Sequence, residues 1–520
     1  MKNVLIVGGG SAGWMTASYL DAQTDYKVTL LESNRVAPIG IGGSTTPYLK
    51  RFFEDIGIHD EKEWMPHCNA TYKLGVLYDD FDRIGSRWWN SFEVDEGKYP
   101  YWNKMRKEEG LDSKDFFKSC IYSAHIGMDD TGKINKTKDG KDAYSYMPTR
   151  SYGGHPEAKA WNLDTGAFGE FLKKRTANSV NHVYATIATI NTDPVKGITS
   201  LIDSEGNEHT ADLYIDCTGF KSLLIDEVSD EGRIPLDPYL SHDKALVMPI
   251  EYEDAYEEMR PRTGAKAMKA GWMWNIPLYH QMVNGYVYTS KYITDEEAEA
   301  EMRKAVGEER VKDVETYIID INTGHFAKPW TKNVIAIGMS AGFIEPMEAT
   351  LIMVVQHLLH NLNQVRKGKM TKAEFNGVFE ATLFDTLDFL STQYYMSHRD
   401  DSEFWRAKAQ NDSQITDRMK EWLETTKEAL LPPKDDVLFL TNCWIAKLVG
   451  FEKFPEGDGF TDSEPRTLPT YSGTNFEPRN KFKYKEMDEL NARIQMDKIR
   501  NFDASDLISQ KAYLDKFIYI

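Results

Sequence analysis

Apolar residues follow two different spacings along the chain, and the change between them predicts the architecture. Short apolar runs typical of strands lie at residues 3–8 (NVLIVG), 26–32 (YKVTLLE), 211–219 (ADLYIDCTG) and 333–338 (NVIAIG). From residue 349 to about 430 the spacing becomes helical, as in ATLIMVVQHLLHNL. We therefore predict an α/β core followed by a mainly helical part.

A further strand is predicted at residues 271–277, which read GWMWNIP. Period-two alternation places Trp272 and Trp274 on one face, and Pro277 excludes a long helix. Two tryptophans in a strand usually pack in a core, but they can also form the wall of a binding site. The local pattern leaves both interpretations open.

Two stretches interrupt these patterns. Residues 127–150 are polar and rich in turn-forming residues, which predicts a surface loop or hairpin. After about residue 430 the chain becomes irregular and includes the stretch SEPRTLPTYSGTNFEPRNKF. No internal repeat is present, so the pattern divides the chain near residue 350.

Composition and charge narrow the class of partner. The chain has 81 acidic and 62 basic residues, a formal net charge of −19. Such a surface repels phosphate backbones and anionic lipids, so we expect no nucleic-acid and no membrane partner. We find neither a signal peptide nor an apolar run that could span a bilayer. The four cysteines lie far apart without metal-ligand spacing, which predicts reduced thiols and a cytoplasmic protein.

A glycine-rich turn follows the first predicted strand. Gly8, Gly10 and Gly13 form the pattern GxGxxG, and a helical pattern begins directly after it. Glycines allow the backbone to approach a pyrophosphate, and the N-terminus of the helix attracts its charge. Glu32 ends the second predicted strand, 19 residues after Gly13, where an acid accepts hydrogen bonds from ribose hydroxyls. This order of elements predicts a dinucleotide site.

A late strand indicates which dinucleotide binds. Chains that bind FAD in this way return to the cofactor with a late strand, a glycine and a helix, whereas a nicotinamide dehydrogenase lacks that return. Residues 211–220 and 333–343 fit the FAD pattern. We predict FAD as the cofactor, with contacts from Gly8, Gly10, Ser11, Ala12, Gly13, Glu32, Gly338 and Met339.

Two ionisable residues stand where they could carry chemistry. Glu348 follows a proline at a predicted helix start, where the helix dipole favours a carboxylate. The amides of Thr350 and Leu351 lack intrahelical acceptors there and could hold a halide or an oxyanion. Lys73 lies in the apolar run TYKLGVLY, where desolvation would make it a nucleophile or a donor. A solvated carboxylate and a lysine that snorkels to water are the simpler interpretations of Glu348 and Lys73.

Other patterns carry less weight. His357 and His360 are three residues apart on a predicted helix, but no carboxylate completes a metal site, so we expect no metal. Ser11 belongs to the phosphate loop, because no GxSxG motif supports a serine nucleophile.

Taken together, these segments resemble the tryptophan halogenase family of flavin-dependent enzymes. The similarity runs in order from residue 1 to about 410, and the WxWxIP segment with the lysine is its most specific part, since related flavin hydroxylases lack it. The similar segments are Gly8 to Gly13, Tyr72-Lys73-Leu74-Gly75, Asp216-Cys217-Thr218-Gly219-Phe220, Trp272-Met273-Trp274-Asn275-Ile276-Pro277 and Pro346-Met347-Glu348-Ala349-Thr350.

The resemblance implies a FAD-binding Rossmann-like core of the glutathione-reductase type with a mainly helical C-terminal substrate-binding part. Residues 1–350 would form the FAD-binding and halogenation core with interleaved substrate-binding segments. Residues 351–520 would form a mainly helical and irregular cap that completes the substrate site.

The resemblance also implies an activity. A separate NAD(P)H-dependent flavin reductase would supply FADH2, which with O2 and a halide held near Thr350 and Leu351 gives hypohalous acid. The acid would travel to Lys73, which carries the halogen to an electron-rich indole or phenol. Glu348 would orient the electrophile and accept the proton that the arene loses.

The tryptophan segment acquires a role in this scheme. Trp272, Trp274 and Pro277 would line a tunnel that keeps the organic substrate away from the flavin while hypohalous acid passes. The resemblance therefore favours the wall interpretation of the two tryptophans.

Four positions depart from the family pattern. Gly43 stands where glutamate is usual, Met339 where aspartate is usual, Ala349 replaces serine and Leu351 replaces glycine. A bulkier residue beside the halide amides leads us to expect that bromide or iodide is used better than chloride. The C-terminal part does not match the lid that holds free tryptophan, so tryptophan itself is not implied as the substrate.

Two rival classes remain. A flavin-dependent aromatic monooxygenase on the same fold would give a hydroxylated product. A flavoprotein that only binds a partner would give no product, and substitution of Lys73 would change nothing. The sequence is compatible with a monomer and with a homo-oligomer.

Overall fold

The computed structural model describes residues 2–35, 42–92, 98–121, 123–128, 133–134, 159–427, 438–439, 441–455, 489–501 and 508–519. Its strands are β1 (Asn3–Val7), β2 (Lys27–Glu32), β3 (Gly42–Ser44), β4 (Thr71–Lys73), β5 (Gly75–Asp79), β6 (Arg87–Ser91), β7 (Lys133–Ile134), β8 (Ala160–Asp164), β9 (Asn181–Tyr184), β10 (Ile187–Asp193), β11 (Gly197–Asp203), β12 (Glu208–His209), β13 (Leu213–Asp216), β14 (Lys244–Ile250), β15 (Thr263–Met268), β16 (Gly271–Pro277), β17 (Met282–Tyr288), β18 (Tyr317–Asp320), β19 (Gly324–His325), β20 (Trp330–Thr331), β21 (Val334–Ala336), β22 (Gly342–Phe343) and β23 (Ile508–Ser509). Its helices are α1 (Ser11–Gln23), α2 (Leu49–Asp55), α3 (Tyr99–Glu109), α4 (Ser113–Cys120), α5 (Ala124–Gly127), α6 (Thr165–Arg175), α7 (Ala255–Glu258), α8 (Asp295–Val306), α9 (Glu308–Val311), α10 (Thr350–Arg366), α11 (Lys372–Tyr395), α12 (Glu403–Lys408), α13 (Asp417–Thr426), α14 (Thr441–Gly450), α15 (Glu489–Arg500) and α16 (Gln510–Phe517).

A six-stranded sheet of order β20-β21-β13-β1-β2-β9 contains all four strands predicted from short apolar runs. From β21 to β9 neighbouring strands are parallel, and β20 is antiparallel at the edge. Four of the five residues of β1 are buried, as expected for a parallel strand that is covered on both faces. With α1 between β1 and β2, this is the predicted α/β dinucleotide-binding core.

A seven-stranded sheet of order β18-β14-β17-β16-β15-β5-β6 confirms the strand predicted at residues 271–277, which is β16. Across this sheet Trp88 lies opposite Tyr78, Tyr78 opposite Ala265, and Ala265 opposite Trp274. Residues directly opposite one another point to the same face. One face therefore carries Trp274 together with Tyr78 and Trp88, and we call it the tryptophan face.

A small sheet of order β3-β8-β4 stands beside the tryptophan face. A Cβ on Gly42 of β3 would lie 3.1 Å from Val283 and 3.3 Å from Ile276. The hydroxyl of Thr71 on β4 donates to the carbonyl oxygen of Pro277 at 2.6 Å. These contacts fix β4, which ends in Lys73, against the end of β16.

The prediction of helices between residues 349 and 430 is confirmed by α10 to α13. The prediction of irregular structure after about residue 430 is wrong for the part that the structure describes, which contains α14, α15, α16 and β23. Helix α14 forms because its apolar residues, such as Trp444 and Leu448, bury against the rest of the protein. Most of the loop predicted at residues 127–150 lies outside the described residues, and β7 within it pairs with β23.

Candidate active site

Close backbone contacts shape the glycine-rich turn between β1 and α1. Gly8 has a φ of +115°, and a Cβ there would lie 2.2 Å from the carbonyl oxygen of Cys217. A Cβ on Gly13 would lie 1.9 Å from the carbonyl oxygen of Gly8. On Gly10, by contrast, a Cβ would meet no atom within 4 Å, so the turn is open on that side. Gly10 is the N-cap of α1 and has no side chain to cap it, which leaves the amides of the first turn to an anion.

The other residues predicted to hold FAD converge on this turn. Gly338 follows β21 in a turn with a φ of +79°, and a Cβ there would lie 3.0 Å from the Cβ of Ala12. Met339 is the next residue, and its Cε lies 3.5 Å from the position of a Cβ on Gly219. The hydroxyl of Ser11 donates to the carbonyl oxygen of Thr165 at 2.9 Å. The early and late segments thus meet at the N-terminus of α1.

Glu32 lies over the same turn. A Cβ on Gly9 would lie 2.3 to 2.5 Å from atoms of the Glu32 side chain, so a side chain at this position would displace the carboxylate. Lys173 donates to Glu32 Oε2 at 3.3 Å, and His182 Nε2 lies 2.8 Å from the same oxygen. An open glycine turn, an uncapped helix N-terminus and a fixed acid fit a flavin dinucleotide with its pyrophosphate at α1 and a ribose at Glu32.

Lys73 is buried at the end of β4. Its side chain is 1% exposed, and its Nζ donates to the carbonyl oxygen of Thr45 at 3.1 Å and lies 5.2 Å from the ring centre of Phe92. Burial lowers the pKa of Lys73 to about 8, and the negative charge of Glu348 opposes that shift. The lysine therefore does not snorkel to water, and the simpler interpretation of this position is wrong.

Glu348 lies in a strained turn immediately before α10. Residues Met347–Ala349 form a 3₁₀ turn in which Glu348 has φ 65° and ψ 4°. Ala349 has φ 57° and ψ 34°, so two successive residues with side chains adopt the left-handed conformation. The sequence pattern predicts Glu348 near the first turn of a helix, and α10 begins two residues later, at Thr350.

Two side chains that the sequence analysis did not single out hold the carboxylate. The hydroxyl of Tyr78 and the Nδ2 of Asn90 at 2.8 Å both donate to Glu348 Oε1. Tyr78 is fully buried and its ring stacks on Trp88 at 4.1 Å. Local sequence gives no signal for these contacts, because they span 270 and 258 residues of the chain.

Lys73 and Glu348 lie near one another without touching. The charge of Glu348 acts on Lys73, yet among the described residues the two side chains form no ion pair and no hydrogen bond. The charge of Glu348 also acts on a second buried lysine, Lys447 on α14. The amine of Lys447 donates to the carbonyl oxygen of Phe389. Burial lowers the pKa of Lys447 well below its ordinary value. Sequence reasoning missed Lys447 because it lies in the part predicted to be irregular.

A small cavity of about 30 Å³ opens at the start of α10. Thr350 and Leu351 are the first two residues of the helix, so their amides have no intrahelical acceptor, as predicted. Both residues line the cavity together with apolar side chains and one buried acid, namely Phe343, Ile344, Glu345, Val354, Phe379 and Leu383.

Glu345 is an acid that the sequence analysis also missed. Its carboxylate lies 2.9 Å from His242 Nδ1 and accepts from the hydroxyl of Tyr394 at 2.9 Å. All three side chains are buried. Glu345 is therefore anchored in a buried polar network at the wall of the cavity.

Trp272 and Trp274 are buried on the tryptophan face. Their ring centres are 6.2 Å apart, and their exposed fractions are 2% and 4%. A Cβ on Gly285 would lie 1.9 Å from the Trp274 ring. The indole therefore fits against the neighbouring strand only because residue 285 has no side chain. Pro277 ends the strand and accepts a hydrogen bond from β4, the strand of Lys73.

Three further observations concern the residues that the structure describes. No group of three His, Cys, Asp or Glu side chains among them could hold a metal ion. None of their helices combines the length and the apolar character needed to cross a bilayer. All four cysteines fall in the described segments, and none of them is in a disulfide.

Comparisons with known proteins identify the family. The tryptophan halogenase family model matches residues 3–462. The chain is 31% identical over 461 residues to the tryptophan 7-halogenase RebH of Lentzea aerocolonigenes, covering 84% of each chain. It is 30% identical over 450 residues to the tryptophan 6-halogenase SttH of Streptomyces toxytricini, covering 81% of this chain and 83% of the relative.

A solved structure agrees over the whole length. Tar14, a tryptophan C-6 flavin-dependent halogenase from taromycin biosynthesis, superposes with a TM-score of 0.81 at 26% identity, covering 99% of both chains. The predicted fold class, a Rossmann-like FAD-binding core with many helices, is confirmed. The chain therefore belongs to the tryptophan halogenase family and is a flavin-dependent halogenase.

Proposed function

We propose that this enzyme forms hypohalous acid and that Lys73 and Glu348 use it to halogenate an electron-rich arene of the indole or phenol type. Bound FADH2, delivered by a separate NAD(P)H-dependent flavin reductase, supplies the reducing equivalents with which O2 and a halide give the oxidised halogen. The observation that carries the proposal is the buried Lys73 near the half-buried Glu348, since the two side chains interact through their charges without forming an ion pair.

Lys73 is suited to receive the electrophile. Because the pKa of Lys73 is about 8, this side chain is a neutral amine in roughly one tenth of the molecules at pH 7. The nitrogen lone pair can bond to the halogen of HOX, with loss of water, or the ammonium can donate a hydrogen bond to its oxygen. Burial protects either species from bulk water.

Glu348 is suited to accept the proton that the arene loses. When the arene carbon bonds to the halogen, the ring becomes an arenium cation, and removal of its proton restores the aromatic system. A carboxylate near the lysine stabilises that cation and takes the proton as a general base.

In this proposal the tryptophan face separates the formation of hypohalous acid from the halogenation of the arene. Trp272 and Trp274 form a wall of immobile indoles, and Pro277 joins that wall to β4. Residues 351–520 would complete the substrate site, since α14 carries Lys447 toward Glu348. RebH and SttH are named for tryptophan, which makes indoles the first substrates to test.

The cavity at the start of α10 suits a large halide. Thr350 and Leu351 offer backbone amides, while Phe343, Phe379 and Leu383 contribute apolar surface. Bromide and iodide shed water more readily than chloride, so we propose that they are used faster.

The product of an arene panel tests the proposed function. Protein, FAD, a flavin reductase, NADH and O2 are incubated with indoles or phenols and equimolar chloride, bromide or iodide, and products are read by mass spectrometry. We expect halogenated product, fastest with bromide or iodide, and at least a 100-fold loss in Lys73→Met. Lys408→Met is the matched control, because Lys408 is also buried with a pKa near 8 but donates to the carbonyl oxygens of Pro238 and Tyr239.

Each other outcome points elsewhere. A hydroxylated product would support the monooxygenase alternative, and no product from any arene would support a flavoprotein that only binds a partner. Halogenation that survives loss of Lys73 would mean that free hypohalous acid reacts in solution. Chloride ahead of bromide and iodide would refute the halide preference.

A further inference from the structure

We propose that Tyr78 and Asn90 are positioning residues: they fix Glu348 Oε1 so that Oε2 is turned to the arene as the proton acceptor. The inference rests on the proposed function of Glu348 and adds the two residues that orient it. Both donors reach the same oxygen, the Tyr78 hydroxyl from β5 and the Asn90 amide at 2.8 Å from β6. Among the described residues no hydrogen bond reaches Oε2.

The two donors are themselves held in place. Tyr78 is fully buried, stacks on Trp88 at an interplanar angle of 8° and packs edge-on against Phe81. Asn90 is 5% exposed. Its Oδ1 has no hydrogen-bond partner among the described residues, and its Nδ2 donates to Glu348. Rigid donors on neighbouring strands can hold a carboxylate within the tolerance that proton transfer requires.

The backbone of Glu348 explains why such support is needed. Glu348 and Ala349 both adopt the left-handed conformation, which side chains disfavour and which persists only when the surroundings enforce it. Hydrogen bonds from the tryptophan face to the carboxylate supply that enforcement. The same sheet that walls off the substrate thereby sets the direction of the catalytic carboxylate.

The charges around the carboxylate determine what happens when a donor is removed. Lys73 on β4 and Lys447 on α14 act on Glu348, while Glu345 and Tyr394 act on Tyr78. Burial and the charge of Glu348 raise the pKa of Tyr78 well above its ordinary value, so its hydroxyl stays protonated and donates. A carboxylate that loses a donor takes up a proton more readily, because the donor stabilises only the ionised form.

The test compares Tyr78→Phe and Asn90→Leu with wild type in the halogenation assay, with flavin reductase shown not to limit the rate. We expect kcat to fall about 10-fold or more in each variant while the KM for the arene is unchanged. The acid limb of the pH profile of kcat should move to higher pH, because the removed donor stabilises only the ionised carboxylate. An even loss at all pH values, or no loss, would overturn the inference.

Tyr286→Phe is the matched control. Tyr286 is fully buried in the same seven-stranded sheet, and its hydroxyl also bonds a carboxylate, that of Glu301, at 3.0 Å. It lies opposite Met273 and therefore points to the other face from the tryptophans. Its removal should leave the acid limb where it is.

A second measurement separates this inference from the proposed function. The free energies of unfolding of Tyr78→Phe, Glu348→Gln and the double variant form a cycle that needs no turnover. We expect the two single effects not to add, because Tyr78→Phe removes the donor of the hydrogen bond and Glu348→Gln removes the charge of its acceptor. If wild type makes no halogenated product, the proposed function fails while the cycle still reports the contact. A cycle in which the effects add would overturn the inference by itself.

Discussion

Two turns of the protein, one after β1 and one before α10, use the left-handed conformation in opposite ways. In the turn after β1 the positive φ of +115° falls on Gly8, where no Cβ opposes it. In the turn before α10 it falls on Glu348 and Ala349, at 65° and 57°. The first turn removes side chains so that a ligand can approach the backbone. The second retains the side chain of Glu348, which the proposed chemistry needs.

The difference shows where the protein stores strain. A residue other than glycine in the left-handed region costs about 1 to 2 kcal/mol, so the Glu348 turn holds a few kcal/mol that its surroundings must offset. Tyr78 and Asn90 provide part of that offset through hydrogen bonds to a charged acceptor, each contributing about 1.5 to 3 kcal/mol. The glycine turn needs no such partners.

The largest effect is expected when a side chain is forced onto the glycine turn. In Gly8→Ala the new Cβ meets the carbonyl oxygen of Cys217 at 2.2 Å in a conformation that alanine disfavours. We expect a loss of about 3 kcal/mol or more in the free energy of unfolding and at least 100-fold weaker FAD binding. Urea unfolding and quenching of flavin fluorescence measure the two effects.

Gly169→Ala is the control for this turn. Gly169 lies within α6, and a Cβ there would meet Ser11 and Trp14 only at 3.9 Å, which is ordinary contact. Alanine also has a higher helix propensity than glycine, so stability should rise slightly. If Gly8→Ala bound FAD as well as this control does, the turn would not be the cofactor cradle.

The second prediction concerns the free energy that the folded protein loses by burying the charge of Lys73. Lys73 has a pKa of about 8 in the folded protein against an ordinary value of 10.5. Below pH 8 the lysine is charged in both states, so the folded state bears the full cost of burying the charge, about 3 kcal/mol. As pH rises from 8 to 10.5 the folded protein carries a neutral amine, and that cost disappears.

Lys73→Met should therefore be more stable than wild type at pH 7 by about 2 to 3 kcal/mol, although it is inactive. The advantage should shrink toward zero near pH 10.5. Urea unfolding at pH 7 and at high pH measures both values. A variant less stable than wild type at pH 7 would show that Lys73 is structurally important rather than a functional burden.

The same contrast explains what the sequence can predict. The glycine turn depends on residues that are adjacent in the chain, so local patterns suffice to place Gly8, Gly13 and Glu32 on their elements. The strand of Trp272 is equally local, because alternation and a proline define it. The fold follows from these patterns together with the family resemblance.

The Glu348 turn cannot be predicted in the same way. Its geometry depends on Tyr78 and Asn90, which reach it only through the register of β5 and β6. Local rules predict a helix entry near Pro346, but they do not predict that Glu348 adopts the left-handed conformation just before the helix. Lys447 is missed for a related reason, since the apolar pattern of a short helix is weak between stretches of sequence that are rich in proline and polar residues.

The smallest effect is expected when glycine replaces Ala349 in the strained turn before α10. Ala349→Gly removes a Cβ at φ 57° and should raise the free energy of unfolding by about 0.5 to 1 kcal/mol, since the gain in the folded state exceeds the added entropy of the unfolded chain. The relaxed turn should hold Glu348 less firmly, so we expect kcat for halogenation to fall about 2- to 5-fold.

Lys332→Gly separates relief of strain from loss of orientation. Lys332 also has a positive φ, of 48°, but it lies in the connection between β20 and β21 and takes no part in the proposed chemistry. Both glycine variants should be slightly stabilised in urea unfolding, and only Ala349→Gly should lose activity. If Ala349→Gly kept full activity, the hydrogen bonds from Tyr78 and Asn90 alone would orient the carboxylate, and the strained backbone would be incidental. If both variants lost activity equally, the loss would reflect general loosening of the chain, and the contrast between the two turns would not extend to function.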